Sequence, residues 1–381
     1  MNILYDYQIF QLQRFGGISN CFVQLIKNLP SEIQFKIGVK DSENVHLINS
    51  ELTKVRPVHN LNNFICNKPF KGKGRLYNFA STIFPQVNSI YFNKKTSINL
   101  LKKGEFDVFH PTYFDPYFLP YLAGKPFVLT IHDMTPELFP GLDDRQIERK
   151  KFLAPKANHI VAVSQKTKDD IIEILNVPEN KISVIYHGQP EQKDNNYHRM
   201  IEKPYLLYVG ARYSYKNFIP MIKALYVTFQ KNPELSMVCT GPDFNTEEFD
   251  MLNKLGIKDR IHHIFASDNE LMSLYHYAEA FIYPSLYEGF GIPILEAYQN
   301  DCPVFLNKKS CFPEIAGDAA IYFELDEQNN TLSTALENFL QNEDCREKLI
   351  EKQKERLSLF SWKNSAQELA EVYEKVIKEN N

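Results

Sequence analysis

Short runs of β-branched and aromatic residues alternate with segments of helical periodicity along most of the chain. That alternation predicts parallel sheets built from βα units. In the first half the strand runs fall at 3–5, 35–39, 108–110, 127–131, 159–163 and 182–186. In the second half they fall at 205–209, 235–239, 261–265, 280–283, 303–306 and 320–323. Between the two sets, residues 188–203 are polar and aperiodic, which marks them as a linker. After Phe323 the pattern turns helical over 331–340, 344–360 and 361–379. The predicted fold class is therefore α/β, with two doubly wound, Rossmann-like parallel-sheet domains at 1–190 and 203–363. A last helix over about 364–381 is expected to pack back on the first domain. The strand ends of two such sheets, facing across a cleft, form a ligand crevice.

A chain of 381 residues suits two domains of ordinary size. Its start lacks a basic segment followed by an apolar one, so no signal peptide is expected. No apolar run approaches the ~18 residues that cross a bilayer. The cysteines are scattered, without a C-x-x-C pair or histidines at zinc spacing. That usage suits reduced thiols in a cytoplasm and predicts neither a disulfide framework nor a metal site.

The charge changes the picture more. From Leu52 to Gly104 there is no Asp or Glu, against ten Lys and Arg. Ten positive charges within a net of −4 leave −14 on the remainder. Phe64, Phe70, Tyr77, Phe79, Phe84, Tyr91 and Phe92 are interleaved with the cations. The stretch 52–104 reads either as a surface for anionic lipid headgroups or as a solvated basic face over ordinary core aromatics. Nucleic acid is a poorer partner, because the whole chain is acidic and shows no recognition motif.

Three short segments carry candidate chemistry. The first is Ser285-Leu286-Tyr287-Glu288-Gly289-Phe290-Gly291-Ile292-Pro293-Ile294-Leu295-Glu296, which follows the strand ending at Tyr283. Two glycines before a helix whose first turn suits Pro293 make an anion site for a diphosphate, with Gly289, Phe290 and Gly291 supplying backbone. Glu296, expected in that first turn, can bind hydroxyls or merely complement the helix dipole. The second segment places Arg212 and Lys216 in the loop after strand 205–209. Cations are disfavoured at a helix start, so a bound anion explains them better than a solvated pair does. The third is Arg14-Phe15-Gly16-Gly17 at the first βα turn, where a glycine pair lets backbone approach a ligand and Arg14 stands close by.

Taken together these segments resemble the retaining GT-B glycosyltransferases of the glycosyl transferases group 1 type. That group includes bacterial capsule and lipopolysaccharide mannosyltransferases, sucrose synthase and bacterial glycogen synthase. The likeness runs over nearly the whole chain. It is most specific in the E-x7-E pair Glu288 and Glu296 of SLYEGFGIPILEA and in PVFLNKKSCFPEIAGDAAIYF after it; RFGGIS, TIHDMTPELFP and the Arg212-x-x-x-Lys216 spacing are also similar. The resemblance implies a metal-independent, retaining hexosyl transfer, mannosyl preferred, from a nucleotide-diphosphate sugar. It implies GDP-mannose as donor, a UDP-sugar being possible, and a glycan or lipid-linked glycan as acceptor, in surface polysaccharide biosynthesis. It implies no cofactor beyond that donor; the cysteine usage points to a cytoplasmic site of action, which the stretch 52–104, read as a lipid surface, extends to the inner face of the plasma membrane. By the same resemblance Glu288 contacts the donor sugar, Glu296 the ribose, and Arg212 and Lys216 the diphosphate.

His132, in Thr130-Ile131-His132-Asp133, lies where the family places a histidine near sugar and acceptor; the alternative is a strand-end residue bonded to Asp133. His187 reads as structural, and His110 is left open. Glu314 matches a family glutamate or serves as a helix-start carboxylate. Two departures stand out. Asn20 replaces an arginine common after Gly-Gly-x-x, and Gln299-Asn300-Asp301 replaces a glycine-ended stretch, so Asn300 or Asp301 must take a left-handed turn. The expected arrangement holds the donor diphosphate between Gly16-Gly17 and Gly289–Gly291. A sugar-nucleotide epimerase and a catalytically silent nucleotide-sugar-binding subunit are the rival functions.

Overall fold

The structure is a computed structural model that describes every residue except 63, 67, 85, 86, 192–195, 327, 328 and 381; the side chains of Thr82 and Glu343 are also outside the description. Twelve strands form where the apolar runs predict them: β1 Asn2–Tyr5, β2 Gln34–Ile37, β3 Val108–His110, β4 Val128–Ile131, β5 His159–Ala162 and β6 Ile182–Val184, then β7 Tyr205–Tyr208, β8 Ser236–Cys239, β9 Ile261–His263, β10 Ala280–Tyr283, β11 Val304–Asn307 and β12 Ile321–Phe323. All pair in parallel. Strands β4, β5, β7, β8, β10 and β11 are buried along their whole length, as strands of a sheet covered on both faces must be.

The chain divides into two compact units. One comprises Met1–Val163, Thr167–His187 and Trp362–Asn381; the other comprises Ser164–Lys166 and Gly188–Ser361. Part of the expected linker, 192–195, lies outside the described residues.

In the first unit the strand order is β2-β1-β3, continued through a parallel bridge between Phe109 and Phe127 to β4-β5-β6. The order reverses at β1, so the carboxyl ends of β1 and β3 flank a topological switch point. Asp6, directly after β1, is fully buried. It accepts hydrogen bonds from the Thr112 amide and hydroxyl, the Gln8 amide and side chain, and the Tyr117 hydroxyl, tying the two strand ends together. Burial nevertheless holds its carboxyl above the usual range.

The terminal helix Trp362–Asn380 belongs to this unit and packs against helix Gly17–Lys27 and β3. Its apolar stripe supplies Leu369, Tyr373 and Val376. At its centre the Tyr373 hydroxyl lies 2.6 Å from His110 Nδ1 and 2.8 Å from the Tyr5 hydroxyl. The other ring nitrogen of His110 lies 2.9 Å from Thr130 Oγ1. Both nitrogens of His110 are therefore occupied, and the position left open by sequence is structural.

The second unit holds one six-stranded sheet of order β12-β11-β10-β7-β8-β9. Each half winds away from the β7–β10 pair, the Rossmann arrangement, and the crevice for a ligand lies outside the carboxyl ends of these two strands. Asp301 takes the left-handed turn before β11 with φ of 54°. Its partner in the expected alternative, Asn300, instead donates to Glu296 O at 2.7 Å. Among the described residues no helix is long and apolar enough to cross a membrane.

Replacing Tyr373 with Phe leaves the Tyr5 hydroxyl and His110 Nδ1 without their shared partner in a dry interior. The expected cost is about 1–3 kcal/mol of unfolding free energy, read by urea denaturation. An unchanged midpoint would show that the terminal helix is held by apolar packing alone.

Candidate active site

The second unit's crevice is lined by the loops that leave β7 and β10. Lys216 stands in the first loop and Glu288 in the second, and their Nζ and Oε1 are 2.6 Å apart. Both side chains are largely buried, at 18% and 14% exposure. The loops are also joined through backbone, the Leu286 amide donating to Tyr215 O at 2.8 Å. Tyr283 is the last residue of β10, and burial together with the nearby Glu288 carboxylate pushes its phenol well above the ordinary value. Lys216 Nζ lies 5.9 Å from the centre of the same ring. The pair thus neutralises itself in a site where a lone charge would be costly.

The backbone of Glu288 is fixed by a residue that sequence reasoning did not single out. The Ser310 hydroxyl accepts from the Glu288 amide at 3.1 Å and donates to its carbonyl at 2.7 Å. Ser310 does this from a left-handed conformation, φ 54°. Next to it, the Cys311 thiol lies 3.2 Å from the carbonyls of both Glu288 and Phe290, which share its single proton. Burial pushes that thiol far above its usual pKa, which keeps its proton available as a donor. Only the Ser-Cys run inside KKSCFPEI hinted at this clamp.

Helix Ile292–Gln299 is capped by Gly291 at φ 93°. A side chain at Gly291 would meet Ile294 at 3.0 Å and Phe312 at 3.3 Å in addition to the left-handed strain. Pro293 lies in the first turn, as expected. Glu296 does not: it is the fifth helical residue, and no acidic residue lies in the first turn. The left-handed Gly291 starts the helix one residue before Pro293, which moves Glu296 away from the positive end. Its carboxylate accepts instead from the Tyr275 hydroxyl at 3.2 Å. Pro293 has no amide proton and the Ile294 amide turns back to Gly291 O. An anion here would be met by amides before Pro293. Phe290 is buried, its ring edge-on to Phe360 at 5.8 Å, so only its backbone can face a ligand. The Gly289 carbonyl accepts from Ser164 Oγ at 2.6 Å.

Arg212 is held more tightly than a solvated loop arginine. Its Nε donates to Glu248 Oε1 at 2.9 Å, with both side chains 3% exposed, and its Nη2 donates to Pro242 O at 2.6 Å. The guanidinium lies over the rings of Phe244 and Phe218, 4.6 and 5.4 Å from their centres. Glu248 is itself fixed by a capping box with Asn245. The buried Nη1 has no hydrogen-bond partner among the described residues, which leaves one donor for a ligand. The Asn245-x-x-Glu248 box is visible in sequence; its pairing with a residue 36 positions away is not.

In the first unit Arg14 and Phe15 are exposed, with the guanidinium 5.5 Å from the neighbouring ring. A short helix, Gln8–Leu12, separates β1 from this loop. Gly16 caps helix Gly17–Lys27. Gln13 supplies the cap that glycine cannot, accepting from the Ser19 amide at 3.1 Å. A side chain on Gly16 would meet the end of that glutamine at 2.2 Å and displace it, so the Gln13 cap depends on glycine here. Asn20 joins the helix by donating its amide to Gly16 O.

His132 follows β4. Its alternative role, a strand-end residue bonded to Asp133, does not hold: the Asp133 carboxylate accepts from the Thr135 amide at 3.0 Å. His132 Nε2 is buried with no hydrogen-bond partner among the described residues. Its ring stacks on His187 at 6.0 Å, and His187 in turn packs on Trp362. Burial pulls His132, His187 and His110 down to about 3, helped at His132 by His110 and Lys150 and at His187 by His132. All three are neutral imidazoles at physiological pH. Cys21 and these two rings, His132 and His187, bring ligand atoms within 4.8 Å of one another, a group able to hold a metal ion. Glu314 lies in the second unit, where its two oxygens accept from the amides of Gln165 and Lys166 at 2.5 and 3.2 Å. Its carboxylate is committed to backbone.

Residues 190–356 match the family described as glycosyl transferases group 1, and residues 65–224 match glycosyltransferase family 4. The chain is 32% identical over 221 residues to the O-antigen chain mannosyltransferase RfbU of Salmonella typhimurium; the match spans 57% of this chain and 62% of that protein, less than two thirds of its length. It is 26% identical to O-antigen chain mannosyltransferase B of Escherichia coli, over 68% of this chain and 72% of the relative. In fold it is similar to Anabaena HepE, crystallised with UDP and glucose, with a TM-score of 0.71 at 18% identity over 98% of this chain and all of that one. Sucrose-phosphate synthase from Thermosynechococcus elongatus gives 0.69 at 14% identity, over 99% of both chains. The architecture is that of the GT-B glycosyltransferases.

Two predictions concern this site. Ser310→Ala and Ser310→Gly each remove the clamp, and the second also relieves the left-handed strain. Both should speed amide hydrogen exchange over 286–291 about tenfold or more, as loss of two backbone contacts implies. Unchanged exchange would mean the loop is held by its other contacts, the Lys216–Glu288 pair, the Cys311 thiol and the Tyr215–Leu286 backbone bond. The buried histidines make the second prediction. Their folded pKa values lie below the unfolded value near 6.5, so the unfolded chain gains protons first as pH falls. Stability is then fully present above ~6.5 and is lost toward about 3, by up to about 2 kcal/mol per histidine between pH 7 and about 5. Asp6, raised in the fold, works in the opposite direction. Urea midpoints that stay level over this range would show that the imidazoles charge in place.

Proposed function

We propose that this chain, a member of the group 1 glycosyltransferases, moves a hexosyl group from a nucleotide-diphosphate sugar to a glycan or lipid-linked glycan. The hexosyl group is mannosyl and the donor GDP-mannose, with a UDP-sugar as second choice. The mannosyltransferase names of the O-antigen relatives support the first choice, and the UDP complex of HepE supports the second. Transfer proceeds with retention and without a metal ion, in surface polysaccharide assembly on the cytoplasmic side of the membrane.

The observation that carries this reading is the Lys216–Glu288 pair outside β7 and β10. A diphosphate entering that crevice competes with Glu288 for Lys216. Once Lys216 turns to the phosphate, Glu288 is released to bind sugar hydroxyls. The leaving nucleoside diphosphate is then stabilised by Lys216 and the spare donor of Arg212, which is electrostatic catalysis without a protein nucleophile. Tyr275 presents Glu296 for ribose hydroxyls. In the first unit His132 is a neutral imidazole, so any role it takes is that of a hydrogen-bonding nitrogen and not of a charge. The acceptor hydroxyl attacks from the face that the diphosphate leaves, with a phosphate oxygen taking its proton.

The test is incubation of the purified chain with GDP-mannose or UDP-sugars, following nucleoside diphosphate release and the anomeric configuration of the product by NMR. Slow release of free diphosphate is expected, and Lys216→Ala should lower it about 10²-fold or more with the fold retained. Epimerised nucleotide sugar, or binding without turnover, would replace this reading by one of its rivals. An inverted product would remove retention alone. EDTA should leave the rate unchanged; a loss restored by zinc would place a metal at Cys21, His132 and His187.

A further inference from the structure

The basic stretch of the first unit has a geometry that composition alone does not reveal. Of the 22 large hydrophobic side chains exposed among the described residues, nine fall between 61 and 91. On helix Lys73–Ile83, Leu76, Phe79 and Ile83 are three and four residues apart and so share one face, and all three are exposed. Phe79 is 65% exposed, and Phe84, just past the helix end, is exposed as well. Tyr77 and Ala80, on the adjoining flank of the helix, are half-buried. The helix therefore turns its most apolar face outward, which an isolated soluble chain has no reason to do.

This face is built rather than loose. The Lys73 ammonium is buried and donates to the carbonyls of Asn62, Cys66 and Lys68 at 2.9, 2.6 and 3.3 Å. Phe64 packs edge-on to Tyr77 with ring centres 5.4 Å apart. The loop thus pinned holds Ile65 at 69% exposure beside the helix. Lys68, Lys71 and Arg75 flank the apolar row and are exposed. Arg56 pairs with Asp41, but no acidic residue lies between 52 and 104 to neutralise the rest.

We infer that this face seats on an anionic lipid bilayer, with Leu76, Phe79 and Ile83 entering the headgroup boundary and the flanking cations meeting lipid phosphates. The chemistry selects this occupant. A second copy would bring two surfaces of the same charge together. A nucleic acid would use the cations and leave the apolar row uncovered. The inference does not rest on the transferase reading.

The experiment is flotation of the full chain with vesicles of phosphatidylglycerol and phosphatidylcholine, and with vesicles of phosphatidylcholine alone, at low salt. Binding is expected with the first and not the second, and should fall as salt screens the lipid charge. Two variants with wild-type melting are expected to lose at least about ten-fold of the bound fraction: Phe79→Ser with Ile83→Ser, and Lys71→Glu with Arg75→Glu. The inference is overturned if the chain ignores anionic vesicles, binds neutral ones equally well, or floats undiminished in both variants. It is also overturned if the serine variant converts a dimer to a monomer in vesicle-free solution, or if the surface captures an oligonucleotide but no vesicle.

Discussion

A lysine and a glutamate 72 residues apart meet at 2.6 Å because parallel strands release all their outgoing loops at one edge of the sheet. The second unit depends on that constraint. Strands β7 and β10 become neighbours only where the strand order reverses, so their loops have no strand between them and must face each other. Each loop brings a charge that would be expensive alone at this exposure, and each charge removes the penalty of the other. The Ser310 clamp and the Tyr215–Leu286 backbone bond then limit where the pair can sit. A ligand that takes one partner inherits a prearranged site for the other.

The strands were legible because a sheet covered on both faces demands unbroken apolar runs, and few other elements in the chain supply them. The left-handed turn at Asp301 was legible for a different reason: with glycine missing before β11, only a residue tolerant of positive φ could stand there. The helix register at Glu296 was not. Pro293 is accepted at either of the first two helical positions, and the choice was made by Gly291, whose φ of 93° and close neighbours Ile294 and Phe312 both exclude a side chain. A one-residue shift in the start moved a carboxylate out of the first turn.

The long-range partners were illegible on principle. Arg212 and Lys216 look alike in the loop, yet one is paired with Glu248 beside two phenylalanine rings with its side chain 3% exposed, and the other is paired with Glu288 at 18% exposure. Their difference comes from Glu248, delivered by another helix. Gly16 carries the reverse lesson. It was noticed as a backbone approach for a ligand, and it also leaves room for the Gln13 side chain to cap the helix. Ser310 could be found only after the loop it holds, since a serine in a left-handed conformation has no sequence mark of its own.

Charge is distributed in two opposite ways in this chain, and the contrast is informative. At the crevice each cation is matched by a carboxylate within 3 Å, Lys216 by Glu288 and Arg212 by Glu248, so an anion must displace or share an existing partner. Over 52–104 the reverse holds: apart from Arg56 with Asp41 and Lys73 on its three carbonyls, the cations were given no acidic residue in their own segment. Matched charges in a partly buried site favour selection by geometry, since the ligand must reproduce the contacts it removes. Unmatched charges on a surface act over a Debye length and select by sign alone. The first arrangement suits a small ligand of fixed shape, and the second suits an extended, laterally mobile anionic surface.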